Sequence, residues 1–373
     1  MPEKPKIIVT SHCDKAAREN NEDNCLIRMN LLDEKVDHQG DGVFLSKSVS
    51  LGDRGSLLIL ADGMGGMNAG EVASAIAVSS TSNYFSTQML DKESLDDEEI
   101  FDFIRHAVIY ADECIKSEAA KNPECSGLGT TIVILWIIND KAYIGWCGDS
   151  RIYLYNTDSK ELDRLSHDHS LVQFWVDSGQ LTESEAFRHP QSNIIMRSLG
   201  DSPEMVDFET LKAPLTLHSG DVFLICSDGL CGMLRDNEIE TVLNTASEKF
   251  PPTELDKWND MLWEAAENAG WTDNVTSILC HVQKQEEAAA PREKTNAATV
   301  TPSSTSPLKK AKNKKGRATI IAVIIILLLA IAGTIGFLYW KNKDMKSTVM
   351  ENATVKIFQQ VTNKNVEHTY III

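Results

Sequence analysis

Aspartate recurs in this sequence wherever an apolar run meets a small residue. LLILADG carries Asp62 and Gly63, IGWCGDS carries Asp149, and FLICSDG carries Asp228 and Gly229. GWTDNVTSIL is the mirror case, with Asp273 leading into its apolar run. Taken singly, such an aspartate marks a turn. Four of them, each attached to an apolar run, ask for more. Strand ends gathered at one edge of a sheet bring their carboxylates together, and like charges at that distance cannot all stay ionised without cations between them. Hard divalent ions such as Mg²⁺ or Mn²⁺ prefer an all-oxygen site of this kind. No Cys or His set stands at zinc-site spacing. A fifth segment, Ala17–Asn24, adds Arg18 and, four and five residues on, the adjacent carboxylates Glu22 and Asp23. Arginine can grip a phosphate with two parallel hydrogen bonds, and the carboxylates could meet metal-bound waters.

The elements that must position these residues read as mixed α and β. KIIVT, SLLILAD, TTIVILWIIND, KAYIGWC, RIYLYN, DVFLICSD and NVTSILCHV are short runs rich in β-branched and aromatic residues, and read as strands. Glu71–Met89, Glu98–Ala119 and Glu254–Asn268 have the length and period of helices. The strands cluster rather than alternate with helices, which predicts α+β layers and not a doubly wound parallel sheet. Residues 33–55 read as a long, insertion-like hairpin region between two motifs.

Charge divides the 373-residue chain. From His281 onward there are 14 basic and 6 acidic residues, leaving 22 basic and 48 acidic residues in 1–280. A body that acidic argues against nucleic acid as a partner. The eight cysteines form no CxxC pair and several lie in apolar runs, as expected of reduced, buried thiols in a cytosolic domain. Residues 1–283 read as one folded unit. Residues 284–317 change to Ala, Thr, Ser and Pro and end in a basic run, a disordered linker by composition. Residues 318–340 contain no charge and end in Tyr339 and Trp340. As a helix they span the ~30 Å of a bilayer core, so a transmembrane helix is expected there. Six Lys or Arg lie between Lys309 and Arg317 against three just after the span, which places the N-terminal side in the cytoplasm. The start of the chain lacks the apolar region of a signal peptide. The expectation is a single-pass protein of the cytoplasmic membrane, with a cytoplasmic catalytic domain and a short extracytoplasmic tail at 341–373.

Eight motifs in order carry a resemblance: RENNEDN, ADGMGGMNAGEVAS, SGLGTT, CGDSRIYLY, LSHDHSLV, SNIIMRSLG, DVFLICSDGL and TDNVTSIL. The series resembles the metal-dependent Ser/Thr protein phosphatases of type 2C, in their bacterial branch, over about residues 6–283. The resemblance implies a four-layer α-β-β-α sandwich with two Mn²⁺ or Mg²⁺ ions at one end. Asp62 would bridge the ions and the Gly63 carbonyl would ligate one. Asp228 and Asp273 would complete the first ion's shell, Glu22 and Asp23 would hold metal-bound waters, and Arg18 would bind phosphate. Asp149 resembles the residue that helps to hold a third, weaker ion. Leu171–Gly200 resemble the flap beside the site. The expected reaction is hydrolysis of phosphoserine or phosphothreonine by a metal-activated water, with phosphoproteins as substrates and an opposing membrane Ser/Thr kinase as the natural counterpart. The alternatives are a catalytically silent phosphoprotein-binding regulator, and the related branch that acts on anti-sigma antagonists. Met64 stands where some eukaryotic relatives have His, so no general acid is assigned. Cys226 has no His or Lys neighbour and reads as core. His167 and His169 read as loop residues that satisfy local hydrogen bonds.

Overall fold

The computed structural model describes residues 4–65, 69–88, 95–122, 127–200 and 205–283. The chain divides into two units, Met1–Val300 and Thr301–Ile373, and the described residues all belong to the first. The linker, the apolar span at 318–340 and the tail at 341–373 lie outside them. No helix among the described residues is long and apolar enough to cross a membrane.

Two antiparallel sheets face each other. The first runs in the order Leu162–Arg164, Arg151–Asn156, Asp221–Cys226, Val275–Gln283, Lys6–Asp14 and Gly42–Leu45, with Val49–Ser50 also paired to Lys6–Asp14. The second runs Glu209–Thr210, Lys141–Cys147, Ile132–Ile138, Ser56–Met64, Asp23–Arg28 and His38–Gln39. Gly129–Thr130 pairs with Ser56–Met64, and Leu215–Thr216 with Lys141–Cys147. Antiparallel sheets usually alternate apolar and polar side chains because one face meets water. Ile132–Ile138 does not alternate, and all seven of its residues are buried. Both of its faces are covered. Ile132, Ile134, Trp136 and Ile138 face a core shared with helices α1 (Ala69–Gln88) and α2 (Asp97–Lys121). Val133, Leu135 and Ile137 face the core between the sheets. The first sheet does the same: Phe223 and Ile225 enter the middle core, while Val222, Leu224 and Cys226 face a third core. The remaining helices are α3 (Leu171–Asp177), α4 (Glu183–Ala186), α5 (Asp228–Cys231), α6 (Asp236–Lys249) and α7 (Leu255–Ala269). Leu243 of α6 and Trp258 of α7 fill that third core. The order of layers is helices, sheet, sheet, helices.

The helices predicted at 71–89, 98–119 and 254–268 appear as α1, α2 and α7, displaced by two residues or fewer at each end. Two elements differ from expectation. Asp23–Arg28, absent from the runs read as strands, is a strand paired between Ser56–Met64 and His38–Gln39. Residues 33–55 are not a hairpin of their own. His38–Gln39 extends one sheet while Gly42–Leu45 and Val49–Ser50 extend the other, so the segment spans one edge of the sandwich. None of the seven described cysteines is in a disulfide.

Candidate active site

The strand registers bring the predicted carboxylates to one end of the sandwich. Asp23 and Asp62 are direct cross-strand partners. Beside them Ile132 pairs with Cys147, whose strand leads through Gly148 to Asp149. In the facing sheet Cys226 pairs with Ser277, so the turn into Asp228 lies next to the turn out of Asp273. Lys6–Asp14 ends opposite Val275, which delivers the Arg18–Glu22 loop to the same end. The strand that carries Asp62 continues to Met64 rather than stopping at the aspartate.

Main-chain contacts fix each member. The Asp62 N–H donates to Thr131 Oγ1 at 2.9 Å, and its carbonyl accepts from the Thr131 N–H at 2.8 Å and from Thr130 Oγ1 at 2.9 Å. The Gly63 N–H donates to the Glu22 carbonyl at 3.0 Å. A Cβ on Gly63 would lie 2.1 Å from the Gly70 carbonyl oxygen, and one on Gly70 would lie 2.8 Å from the Glu22 carboxylate. The two glycines let the strand, the start of α1 and the Glu22 loop touch through their backbones. Gly65 adds to this close approach, with a φ of +152° and a Cβ position only 2.9 Å from the Cβ of Ala69.

Sequence reasoning missed the residues that hold the carboxylates in place. The Asn274 amide donates to the carbonyls of Lys15 at 3.0 Å and Asn20 at 2.8 Å, and its Oδ1 accepts from the Glu22 N–H at 2.9 Å. Ser227 donates to Asp23 Oδ2 at 2.7 Å and accepts from the Thr276 N–H at 3.0 Å. Arg151 grips Asp168 through Nε at 2.9 Å and Nη2 at 2.7 Å, and reaches Asp236 at 3.1 Å. An arginine two residues after an expected ligand, and a serine directly before one, were signals available in GDSR and CSDG. Arg18 donates from Nη2 to Asp273 at 2.8 Å and from Nε to the Thr272 carbonyl at 2.9 Å. His169 accepts at Nδ1 from the Gly148 N–H at 3.1 Å and so clamps the turn before Asp149. His167 pairs with Asp177 at 2.8 Å. Both histidines serve local hydrogen bonds, as expected.

Carboxylates this crowded and dry resist ionisation. Burial, and then the charges of Asp23, Asp228, Asp149 and Asp273, hold Asp62 far above the ordinary carboxylate range. Burial and Asp228 do the same to Asp149. Asp23 is pushed up to about 7 by burial, and Asp228 to about 6 by burial with Asp273 beside it. Burial also raises Glu22. One buried oxygen each of Asp23 and Asp149 has no hydrogen-bond partner. Raised carboxylates with orphaned oxygens fit an oxygen site for cations. Among the described residues no three acidic, His or Cys side chains draw tightly round one point. A cavity of about 560 Å³ opens from Asp149, Asp228 and Asp273 toward Val172 and Phe187 of the flap and Arg235 at the start of α6.

The comparisons with known proteins agree with this geometry. The protein phosphatase 2C family profile matches residues 44–280. The chain belongs to the protein phosphatase 2C family. It is 34% identical over 232 residues to protein phosphatase PhpP of Streptococcus pneumoniae, an alignment covering 62% of this chain and 87% of that one. Its fold is similar to that of serine/threonine phosphatase Stp1 from Staphylococcus aureus, with a TM-score of 0.61, 28% identity, and coverage of 76% and 98%. It is also similar to the catalytic domain of PstP in complex with two manganese ions, with a TM-score of 0.57, 26% identity, and coverage of 75% and 100%. This phosphatase 2C chain is a Ser/Thr protein phosphatase of the bacterial type, acting on phosphoproteins.

Proposed function

We propose that this phosphatase works with two Mn²⁺ or Mg²⁺ ions held by Asp62, Asp228, Asp273 and the Gly63 carbonyl. Glu22 and Asp23 would reach the ions through water, and Asp149 would help hold a third, weaker one. The observation that carries this reading is the gathering of Asp23, Asp62, Asp149 and Asp228 in a buried cluster where each is held above its ordinary pKa. The manganese pair in the related PstP catalytic domain supports it. When bound, the ions supply an activated water at neutral pH and neutralise phosphoryl oxygens.

The chain's own residues do the rest. Asp62, pinned on its main chain by Thr130 and Thr131, presents its carboxylate at a fixed place. Ser227 holds one oxygen of Asp23 and leaves the other open. Arg18 exchanges Asp273 for the substrate phosphate and offsets charge as the phosphoryl group transfers. No side-chain nucleophile is required, and Cys226 is buried core. The test is Mn²⁺ binding by calorimetry. Asp62→Asn and Asp273→Asn should each weaken it at least tenfold, and unchanged binding in both would refute the assignment.

Residues 318–340 are proposed as a transmembrane helix that tethers the catalytic domain to the cytoplasmic face. The uncharged 23-residue run and the basic flank before it support this. The tether would concentrate the enzyme on substrates of a membrane Ser/Thr kinase. Removing residues 309–373 should leave turnover of a soluble phosphopeptide unchanged and slow turnover of a vesicle-bound phosphoprotein. Equal rates on vesicles would count against the tether.

A further inference from the structure

We propose that Arg235 forms a subsite in the catalytic cleft for an acidic side chain of the phosphoprotein, close in sequence to the phosphorylated residue. The proposal rests on the phosphatase activity and adds to it a substrate preference. The cavity that holds Asp149, Asp228 and Asp273 extends to Arg235 and Phe187. Arg235 is the residue before α6, and its guanidinium carbon lies 4.8 Å from the centroid of the Phe187 ring, which caps α4 in the flap. Its Nε is buried and has no hydrogen-bond partner.

The other arginines of this region are occupied. Arg151 is held by Asp168 and Asp236, Arg164 lies 3.8 Å from both Glu183 and Asp236, and Arg18 is paired with Asp273. An arginine whose charge meets no carboxylate gains by receiving one. Stacking on an aromatic face holds the guanidinium plane while its edge keeps its donors open. That edge is a fork matched to a carboxylate.

A carboxylate suits the place better than a second phosphate. Glu183 and Asp236 line the same wall, and they repel a dianion about twice as strongly as a monoanion. The long-range field runs the other way, because a body with 48 acidic and 22 basic residues attracts basic partners. A preference for an acidic neighbour must therefore come from a local contact.

The test uses the full-length protein with Mn²⁺ and a set of phosphothreonine peptides. Each peptide carries Glu or Gln at one position within three residues of the phosphothreonine. At one position the Glu peptide should have the higher kcat/KM by about tenfold, through KM, as a charge-assisted bond implies. Arg235→Gln should bring that ratio close to one, Arg235→Lys should restore part of it, and Phe187→Leu should lower it. The proposal is overturned if no position favours Glu. It is equally overturned if Arg235→Gln keeps the ratio or lowers both peptides in parallel.

Discussion

Asp228 belongs to two neighbourhoods at once. It opens α5, where its carbonyl accepts from the Gly232 N–H, and its carboxylate stands among those of Asp62, Asp149 and Asp273. Asparagine has the same shape without the charge, so Asp228→Asn should fold and still lose about 10²-fold or more in kcat/KM on a phosphopeptide. A loss below tenfold would remove Asp228 from the metal site. Arg18 invites a different substitution. Lysine keeps its charge and loses the fork, so Arg18→Lys should raise KM for a phosphothreonine peptide by roughly tenfold. An unchanged KM would mean that Arg18 serves only its bond to Asp273. At this scale the sequence was more informative about charge than about support. The recurrence of Asp beside apolar runs identified Asp62, Asp149, Asp228 and Asp273. Ser227 and Arg151 stood beside expected ligands, but their roles, like that of Asn274, depend on carbonyls and carboxylates that only the fold brings near.

Asn274 ties the Val275–Gln283 strand to the loop that carries Arg18 and Glu22. Three hydrogen bonds depend on that one amide. Asn274→Ala should cost about 2–3 kcal/mol at ~1 kcal/mol per bond, read as a drop in the denaturant midpoint. An unchanged midpoint would show that the loop is held elsewhere. Gly63→Ala should cost about 3 kcal/mol or more, since its Cβ would lie 2.1 Å from a main-chain oxygen that has nowhere to retreat. Strands covered on both faces, such as Ile132–Ile138, were legible from their apolar length, and α1, α2 and α7 from their period. Asp23–Arg28 was not, because a strand of six residues framed by Asn21, Asn24 and Arg28 lacks an apolar signature. The 33–55 segment misled for another reason: its short strands pair with two different sheets, and no local pattern announces a partner far along the chain.

The whole molecule carries an electrostatic cost at one end that cations can remove. Folding raises Asp23 to about 7 and Asp228 to about 6, and burial holds Asp62 and Asp149 well above the ordinary carboxylate range. A raised folded-state pKa means that the stability these groups lend is full below the ordinary carboxylate range, and is lost as pH rises through about 6 and 7. In EDTA the protein should therefore melt at a lower temperature at pH 8 than at pH 5. Added Mn²⁺ should recover more of the melting temperature at pH 8, where it meets ionised ligands. A melting temperature in EDTA that rises from pH 5 to pH 8 would contradict the burial of these charges. The most direct measurement is phosphate release from a phosphothreonine peptide by the full-length protein in Mn²⁺, in EDTA, and by Asp228→Asn in Mn²⁺. Release that needs Mn²⁺, stops in EDTA and collapses in the variant is the predicted result. Release that persists in EDTA would contradict hydrolysis through metal ions held by this carboxylate cluster.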